Sequence, residues 1–128
     1  WTTPMLDELE TRFPFLTQSS KAAGSLSVGQ RQMLDFSMTV LAEPDLVLLD
    51  EPCAGLSTEE TRQMIEAVAA IAAETKATFI IIEHDMQVVG RLSDHVLVMH
   101  QGALLANGTM TEIRANADVA RVYSGGSK

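Results

Sequence analysis

Few features of this 128-residue sequence point to a membrane, to an oxidising compartment or to nucleic acid. Its one cysteine, Cys53, rules out a disulfide framework within the chain, and a reducing cytosol is the simplest setting. The longest apolar runs have the length of a strand, far below the roughly 20 residues of a membrane-spanning helix. Nine basic residues against seventeen acidic ones give a formal charge of -8. Because binding to nucleic acid or to an anionic membrane surface needs clustered Lys and Arg, we expect no nucleic-acid partner and no polybasic anchor.

A glycine-rich phosphate loop is also missing, since no Gly-x-x-x-x-Gly-Lys-Ser/Thr pattern occurs in the sequence. Such a loop cradles nucleotide phosphates with backbone N–H groups and a lysine. The chain begins with Trp1 and shows no secretory pattern, so we expect an internal piece of a longer protein. The 46% of hydrophobic residues nevertheless predicts a packed core.

Strands that alternate with helices predict an α/β class with a parallel sheet. The runs 46–50 and 78–83 are apolar without alternation, which predicts strands buried on both faces. A third strand at 96–99 returns through Gln101-Gly102 as a hairpin with 103–106, and Asn107-Gly108 turns the chain again. The predicted helices cover about 4–22, 28–42, 58–74, 86–92, 111–115 and 117–123, with a loose tail at 124–128. The predicted buried face of the second helix consists of Met33, Leu34, Ser37, Met38 and Leu41. The third helix carries an apolar stripe of Met64, Ile65, Val68 and Ile71.

Two helix starts carry clear capping signals. Ser27 is placed as an N-cap, because its hydroxyl can accept from an open backbone N–H of the next turn. Ser57, followed three residues later by Glu60, has the capping-box pattern.

An acidic pair, Asp50 and Glu51, follows the first predicted strand, at the end of a parallel sheet where ligands bind. Next to a nucleotide, Asp50 can hold Mg²⁺, through water, because Mg²⁺ prefers oxygen ligands and keeps several waters. Glu51 can orient or deprotonate the water that attacks a γ-phosphate. Taken alone, the pair fits equally well a strand that ends in two solvated carboxylates.

Two further groups have chemistry that suits a phosphate. His84 follows the second strand, and a neutral imidazole there could hydrogen-bond a γ-phosphate or the attacking water. The segment 26–30 places a hydroxyl, a glycine and free N–H groups at a helix start, which is an anion site. Alone, each has a more ordinary interpretation: a histidine that caps or packs against the next helix, and a capped helix. His95 and His100 have no such setting, and the histidines show no zinc spacing.

In order and spacing, these segments resemble the ATP-binding subunits of ABC transporters. Leu26-Ser27-Val28-Gly29-Gln30 is similar to the family's signature loop, and 46–51 is similar to its Walker B strand. His84 matches its switch histidine, and 54–57 lies where its D-loop is found. Softer similarity at 82–86, 102–108 and 119–123 resembles the subfamily that serves branched-chain amino-acid and urea importers.

This resemblance implies a fold and a set of partners. The fold would be part of a P-loop NTPase (RecA-like) parallel sheet flanked by helices. Part of the helical subdomain and the signature helix would lie in about 1–43. The core, including the C-terminal hairpin, would lie in about 44–128. ATP and Mg²⁺ would bind between two ATP-binding subunits, identical or different, that drive transmembrane permease subunits. The location would be cytoplasmic, on the inner face of the cell membrane.

The resemblance also assigns residues. Ser27, Val28, Gly29 and Gln30 would contact the γ-phosphate of ATP held by the other subunit. Asp50, as the Mg²⁺ residue, and Glu51 and His84, as catalytic residues, would act on ATP of their own subunit.

Several features depart from the family pattern. Val28 replaces a small residue of the signature loop, and Ser57 stands where many members carry an aspartate. The phosphate loop, the Q-loop and an adenine-stacking aromatic are not evident. We therefore expect the chain alone to be inactive, and to self-associate because the family's phosphate-loop strand is missing from its sheet.

Other functions remain open at this stage. One is a non-catalytic α/β interaction or regulatory module, which fits the missing loop. Another is an ABC ATPase outside transport, in DNA repair or translation. A phosphoacceptor or phosphatase domain based on Asp50 would need a partner lysine, and Lys76 has no evident placement for that role.

Overall fold

The computed structural model describes residues 3–18 and 22–125, and the chain divides into two compact units after His84. The first unit contains α1 (Thr3–Arg12), two 3₁₀ turns (Pro14–Thr17 and Ala23–Ser25), α2 (Val28–Leu41), β1 (Leu46–Asp50), α3 (Thr58–Glu74) and β2 (Thr78–Ile82). The second unit contains α4 (Met86–Leu92), β3 (Val96–His100), β4 (Ala103–Gly108), α5 (Met110–Ala115) and α6 (Ala117–Gly125). The α/β class is confirmed. The proposed division near residue 43 into helical subdomain and core stays a prediction.

The two predicted N-caps are confirmed as reciprocal capping boxes. Ser27 Oγ accepts from the Gln30 backbone N–H, and Gln30 Oε1 accepts from the Ser27 N–H, both at 3.1 Å. Ser57 Oγ accepts from Glu60 N at 3.3 Å, and Glu60 Oε2 accepts from Ser57 N at 2.9 Å. Each box satisfies backbone donors that have no partner inside the helix, so both starts are set by local sequence.

Strands β1 and β2 form a two-stranded parallel sheet in which Leu46 pairs with Thr78 and Asp50 with Ile82. Paired residues of neighbouring strands share a face, because side chains alternate along each strand. One face packs toward the helices and buries Val47 almost completely. The opposite face remains open: Leu48 is 67% exposed and Ile82 is 60% exposed.

The prediction that both faces of these strands are buried is therefore wrong for this chain. Within the described residues of the first unit, the helices pack against only one face of the sheet. No layer in the described part of this unit covers the opposite face. The apolar runs still encode strands, but their outer side chains lack a covering element.

The core of the first unit joins the three helices to the covered face of the sheet. The predicted stripe of α3 is confirmed, since Met64, Ile65, Val68 and Ile71 are all buried. The other buried residues in the core of the first unit include Leu9 and Phe13 from the N-terminal segment, and Met33, Phe36 and Val40 from α2.

The predicted face of α2 is only partly right. Met33 and Ser37 are buried, but Met38 is 59% exposed, and Phe36 and Val40 are buried in its place. Leucines, methionines, valines and a phenylalanine lie on several sides of this helix, so periodicity alone could not select its inner face. Packing against α1 and α3 made that choice.

The second unit contains the predicted hairpin, with β3 antiparallel to β4. Gln101 and Gly102 have φ values of 49° and 78°, the left-handed pair that a two-residue hairpin turn requires. Strand β4 continues through the predicted turn at Asn107 to Gly108. Ser124 and Gly125 belong to α6 rather than to a loose tail, and residues 126–128, like 19–21 of the first predicted helical stretch, lie outside the described residues. The buried cluster of this unit is Val96, Val98, Ile113 and Val119.

No helix in the described ranges combines the length and the apolar character needed to cross a membrane.

Candidate functional site

The carboxyl ends of β1 and β2 bring two predicted residues together. The Glu51 backbone N–H donates to the Ile82 carbonyl at 2.9 Å, so the strand ends stay paired one residue beyond Asp50. Glu51 itself has a left-handed backbone, with φ 46°. Its Oε1 lies 3.5 Å from His84 Nδ1. Acid and imidazole therefore meet at the rim where parallel sheets bind ligands.

The contact between Glu51 and His84 is open to solvent. Their side chains are 50% and 75% exposed, and the distance exceeds that of a normal hydrogen bond. Water screens such a pair, so it contributes little to stability. Catalytic hydrogen bonds are commonly long before substrate binds, and an exposed pair is free to turn toward a ligand.

Asp50 lies at the edge of a cavity of about 240 Å³ next to this pair. Strand β1 and the turn after it contribute Asp50, Glu51 and Pro52, and α2 contributes Gln32 and other polar residues. In the described ranges, no group of three or more His, Cys, Asp or Glu side chains could hold a metal ion. Mg²⁺ does not need one, since one or two carboxylates suffice when substrate phosphates and water complete the shell. The donors at this rim fit Mg²⁺ bound together with a nucleotide.

The segment Ser27–Gln30 forms the start of α2, with Ser27 and Val28 exposed. The side chains of Ser27 and Gln30 are occupied by their capping box. The N–H groups of Val28 and Gly29 are the first two of the helix and have no acceptor within it. In the capping box the Ser27 hydroxyl oxygen only accepts, so its O–H can still donate. The helix start therefore offers an anion these two N–H groups together with the serine hydroxyl.

Gly29 is buried where α2 meets the start of α3. A Cβ at this position would lie 3.1 Å from Leu56 Cδ2 and would overlap the Glu60 carboxylate. A side chain at this position would therefore require the Glu60 carboxylate to leave its place and Leu56 to shift slightly. Glu60 is held there by the Ser57 backbone N–H, which also lowers the pKa of its carboxyl group.

Hydrogen bonds connect α2 to the acidic rim indirectly. In the described parts of the chain, no hydrogen bond or ion pair joins Ser27–Gln30 to Asp50, Glu51 or His84. Instead, Gln32 Nε2 donates to the Ala54 carbonyl at 3.1 Å, and Ala54 N donates to the Glu51 carbonyl at 3.0 Å. The turn after Glu51 is thus held to α2 by a side-chain hydrogen bond.

Sequence reasoning missed two residues of this arrangement, Gln32 and Glu83. Glu83 Oε1 accepts from the Cys53 backbone N–H at 3.0 Å. The only available signal was that Glu83, a charged residue, directly follows an apolar strand and precedes His84. Both residues bind main-chain groups more than twenty residues away, and no sequence pattern identifies such partners.

A larger cavity, of about 320 Å³, lies at the opposite end of the strands, with Asp45, Thr75 and Phe79 in its lining. It contains none of the predicted site residues. The candidate chemistry is therefore confined to the carboxyl rim and the start of α2.

A parallel sheet that carries an acidic pair and a histidine at its carboxyl rim places the chain among the α/β proteins that bind their ligands at this edge of the sheet. Comparison with known proteins gives the family. Residues 3–54 match the family model described as ABC transporter.

Two relatives are "High-affinity branched-chain amino acid transport ATP-binding" proteins. BraF of Pseudomonas aeruginosa is 40% identical over 107 residues, covering 84% of this chain and 42% of BraF. LivG of Escherichia coli K12 is 38% identical over 114 residues, covering 89% of this chain and 45% of LivG. The crystal structure of the ADP conformation of MJ1267, an ATP-binding cassette of an ABC transporter, superposes with a TM-score of 0.73 at 26% identity, covering 98% of this chain and 52% of that one.

The chain belongs to the ABC transporter family, and its fold is that of part of an ABC ATP-binding domain. It spans less than half the length of BraF and LivG.

Proposed function

We propose that this chain forms part of an ATPase that powers solute import, with branched-chain amino acids as the solute class. The carrying observation is the approach of Glu51 Oε1 to His84 Nδ1 at 3.5 Å, at the carboxyl rim of a parallel sheet. The solute class rests on the printed names of BraF and LivG. Urea, which the softer sequence resemblance also suggests, is the second candidate solute.

In this proposal each residue has a defined task. Glu51 orients the attacking water or accepts its proton. His84 forms a hydrogen bond to the γ-phosphate or to that water. Asp50 would hold Mg²⁺, which would supply positive charge to balance that of the phosphates. Ser27, Val28, Gly29 and Gln30, through the free N–H groups at 28–29 and the polar side chains beside them, face the γ-phosphate of ATP on a second ATP-binding subunit, identical or different.

The same proposal places the protein on the cytoplasmic face of the membrane, bound to permease subunits. Uptake of labelled leucine and of labelled urea, in cells with and without the gene that encodes this chain, tests the solute class. Loss of leucine uptake supports the proposal, and loss of urea uptake alone selects the second solute. If neither uptake changes, the importer function is wrong.

The 128-residue chain alone is expected to bind ATP weakly or not at all. Its sequence has no phosphate loop, the element that supplies most donors to the β- and γ-phosphates. Ligand stabilises a protein only through affinity for the folded state, so about 1 mM Mg-ATP should leave its melting temperature nearly unchanged. The protein expressed from the complete natural reading frame serves as the positive control. A clear rise for the chain alone would contradict the expectation.

We also expect the isolated chain to self-associate through the open face of its parallel sheet. Leu48, Ile80 and Ile82 expose apolar surface side by side, and removing this surface from water favours association. Leu48→Lys should reduce the concentration-dependent mass measured by light scattering. Leu97→Lys, at a similarly exposed leucine of β3, is the matched control and should have a smaller effect. A wild-type chain that stays monomeric at all concentrations would refute this.

A further inference from the structure

We propose that Glu83 is a positioning residue that holds the backbone turn carrying Glu51, and so aims the Glu51 carboxylate at the reacting water. This inference rests on the proposed ATPase function. It assigns Glu83 no contact with the substrate. Its carboxylate acts through a main-chain hydrogen bond.

The turn after β1 is held from both sides of Glu51. On one side, the Glu51 N–H donates to the Ile82 carbonyl at 2.9 Å. On the other, the Cys53 N–H donates to Glu83 Oε1 at 3.0 Å. One acceptor is the last residue of β2, and the other, Glu83, is the next residue and directly precedes His84. The element that carries the histidine therefore also fixes the backbone that carries the acid.

This turn needs fixing because of the conformation of Glu51. Its φ of 46° lies in the left-handed region, which a residue with a Cβ atom disfavours. The Ala54 N–H closes the turn onto the Glu51 carbonyl at 3.0 Å, but that bond lies within the turn and does not anchor it to β2. Gln32 holds the far end of the turn to α2 through the Ala54 carbonyl, but it does not tie residue 53 to the end of β2. Without the Glu83 carboxylate, the Cys53 N–H would lose that tie, and the backbone of Glu51 would be freer to relax to a negative φ. Its side chain would then point away from His84.

When a general base is displaced, the chemical step slows although the substrate still binds. The position of the base affects the energy of the transition state more than that of the bound substrate. The inference thus predicts a fall in kcat with little change in KM. A general loss of folding would also lower the apparent kcat, since less of the protein would be active, but it would lower the melting temperature as well. An unchanged melting temperature therefore distinguishes a displaced base from lost folding.

Three substitutions separate the hydrogen bond from the charge. Glu83→Gln keeps an acceptor oxygen at the same reach and removes the charge. Glu83→Asp keeps the charge but is one methylene shorter, so it withdraws from Cys53 N–H. Glu83→Ala removes both. Glu74→Ala, at an exposed carboxylate at the end of α3, is the control for an unrelated loss of charge.

The first measurement uses the 128-residue chain and needs no nucleotide. Amide hydrogen exchange at Cys53, followed by NMR, should accelerate severalfold to about tenfold in Glu83→Ala and Glu83→Asp, the range expected for one lost hydrogen bond. Glu83→Gln and Glu74→Ala should exchange like the wild type. Unchanged exchange in both Ala and Asp variants would overturn the anchoring contact.

The second measurement uses the protein expressed from the complete natural reading frame. Glu83→Ala and Glu83→Asp should lower kcat for ATP hydrolysis by about 10- to 100-fold with KM nearly constant, and Glu83→Gln should restore it. If Gln is as defective as Ala, charge rather than positioning is the role, and the inference is wrong. If the Ala variant does not fold, the Asp and Gln pair decides alone. A wild type without Glu51-dependent hydrolysis would refute the proposed function instead, and the exchange result would still decide the anchor.

Discussion

Glu51→Gln is expected to lower kcat for ATP hydrolysis by about 10²- to 10⁴-fold, in the protein expressed from the complete natural reading frame, while ATP binding is kept. The amide has the shape of the carboxylate and can still orient water, but it cannot accept a proton at neutral pH. Because Glu51 is half exposed and makes no ion pair other than the long contact with His84 in the described residues, its replacement should not unfold the turn.

Two measurements check this expectation. Steady-state hydrolysis gives kcat, and equilibrium titration with a fluorescent ATP analogue gives the dissociation constant. Glu74→Gln, which changes the same charge at a distant exposed position, should leave both unchanged. A Glu51→Gln protein that keeps most of its turnover would show that another group is the base. A parallel loss of binding would assign Glu51 to nucleotide affinity rather than to chemistry.

Ile71→Ala is expected to destabilise the 128-residue chain by about 2–5 kcal/mol. Ile71 is 0% exposed and lies where α3 packs over the covered face of the sheet. Truncation there removes apolar contacts and leaves a cavity that the surrounding helices cannot fill completely. A small domain has only about 5–15 kcal/mol of total stability, so this one change should shift the urea unfolding midpoint strongly.

Ile80→Ala provides the matched control for the same chemical change. Ile80 is half exposed on the open face of the parallel sheet, so truncation removes little buried surface. Its effect on the free energy of unfolding should be below about 1 kcal/mol. Similar losses for the two variants would mean that Ile80 is covered in solution, and would agree with association through the open face.

Local signals in the sequence predicted much of the fold. Ser27 was identified as an N-cap from its hydroxyl, and Ser57 from its hydroxyl together with Glu60 three residues later, because such groups satisfy a helix start without distant partners. The matching role of Gln30 beside Ser27 came only with the structure. Gln101-Gly102 predicted the hairpin for the same reason, since its left-handed backbone is a property of the turn alone. The stripe of α3 was also predicted correctly, because its polar residues leave only one apolar side.

Features that depend on distant neighbours were not predicted. The inner face of α2 was misjudged at Met38, where several helix sides are apolar and tertiary packing selects one. The open face of β1 and β2 was expected to be buried, because an apolar run does not reveal whether a second layer covers it. Gln32 and Glu83 were missed since each bonds to a backbone group far along the chain.

The order of residues along the chain was enough to set its helices, strands and turns, and to supply an acidic pair, a histidine and a capped helix start. These depend on hydrogen bonds and side-chain preferences within a few residues of one another. Folding in three dimensions decided that Glu51 meets His84, that Gly29 packs against Leu56, and that Glu83 reaches the backbone of Cys53. Such contacts join residues about thirty positions apart, and only the packing of α2, α3 and the paired strands brings them within bonding distance.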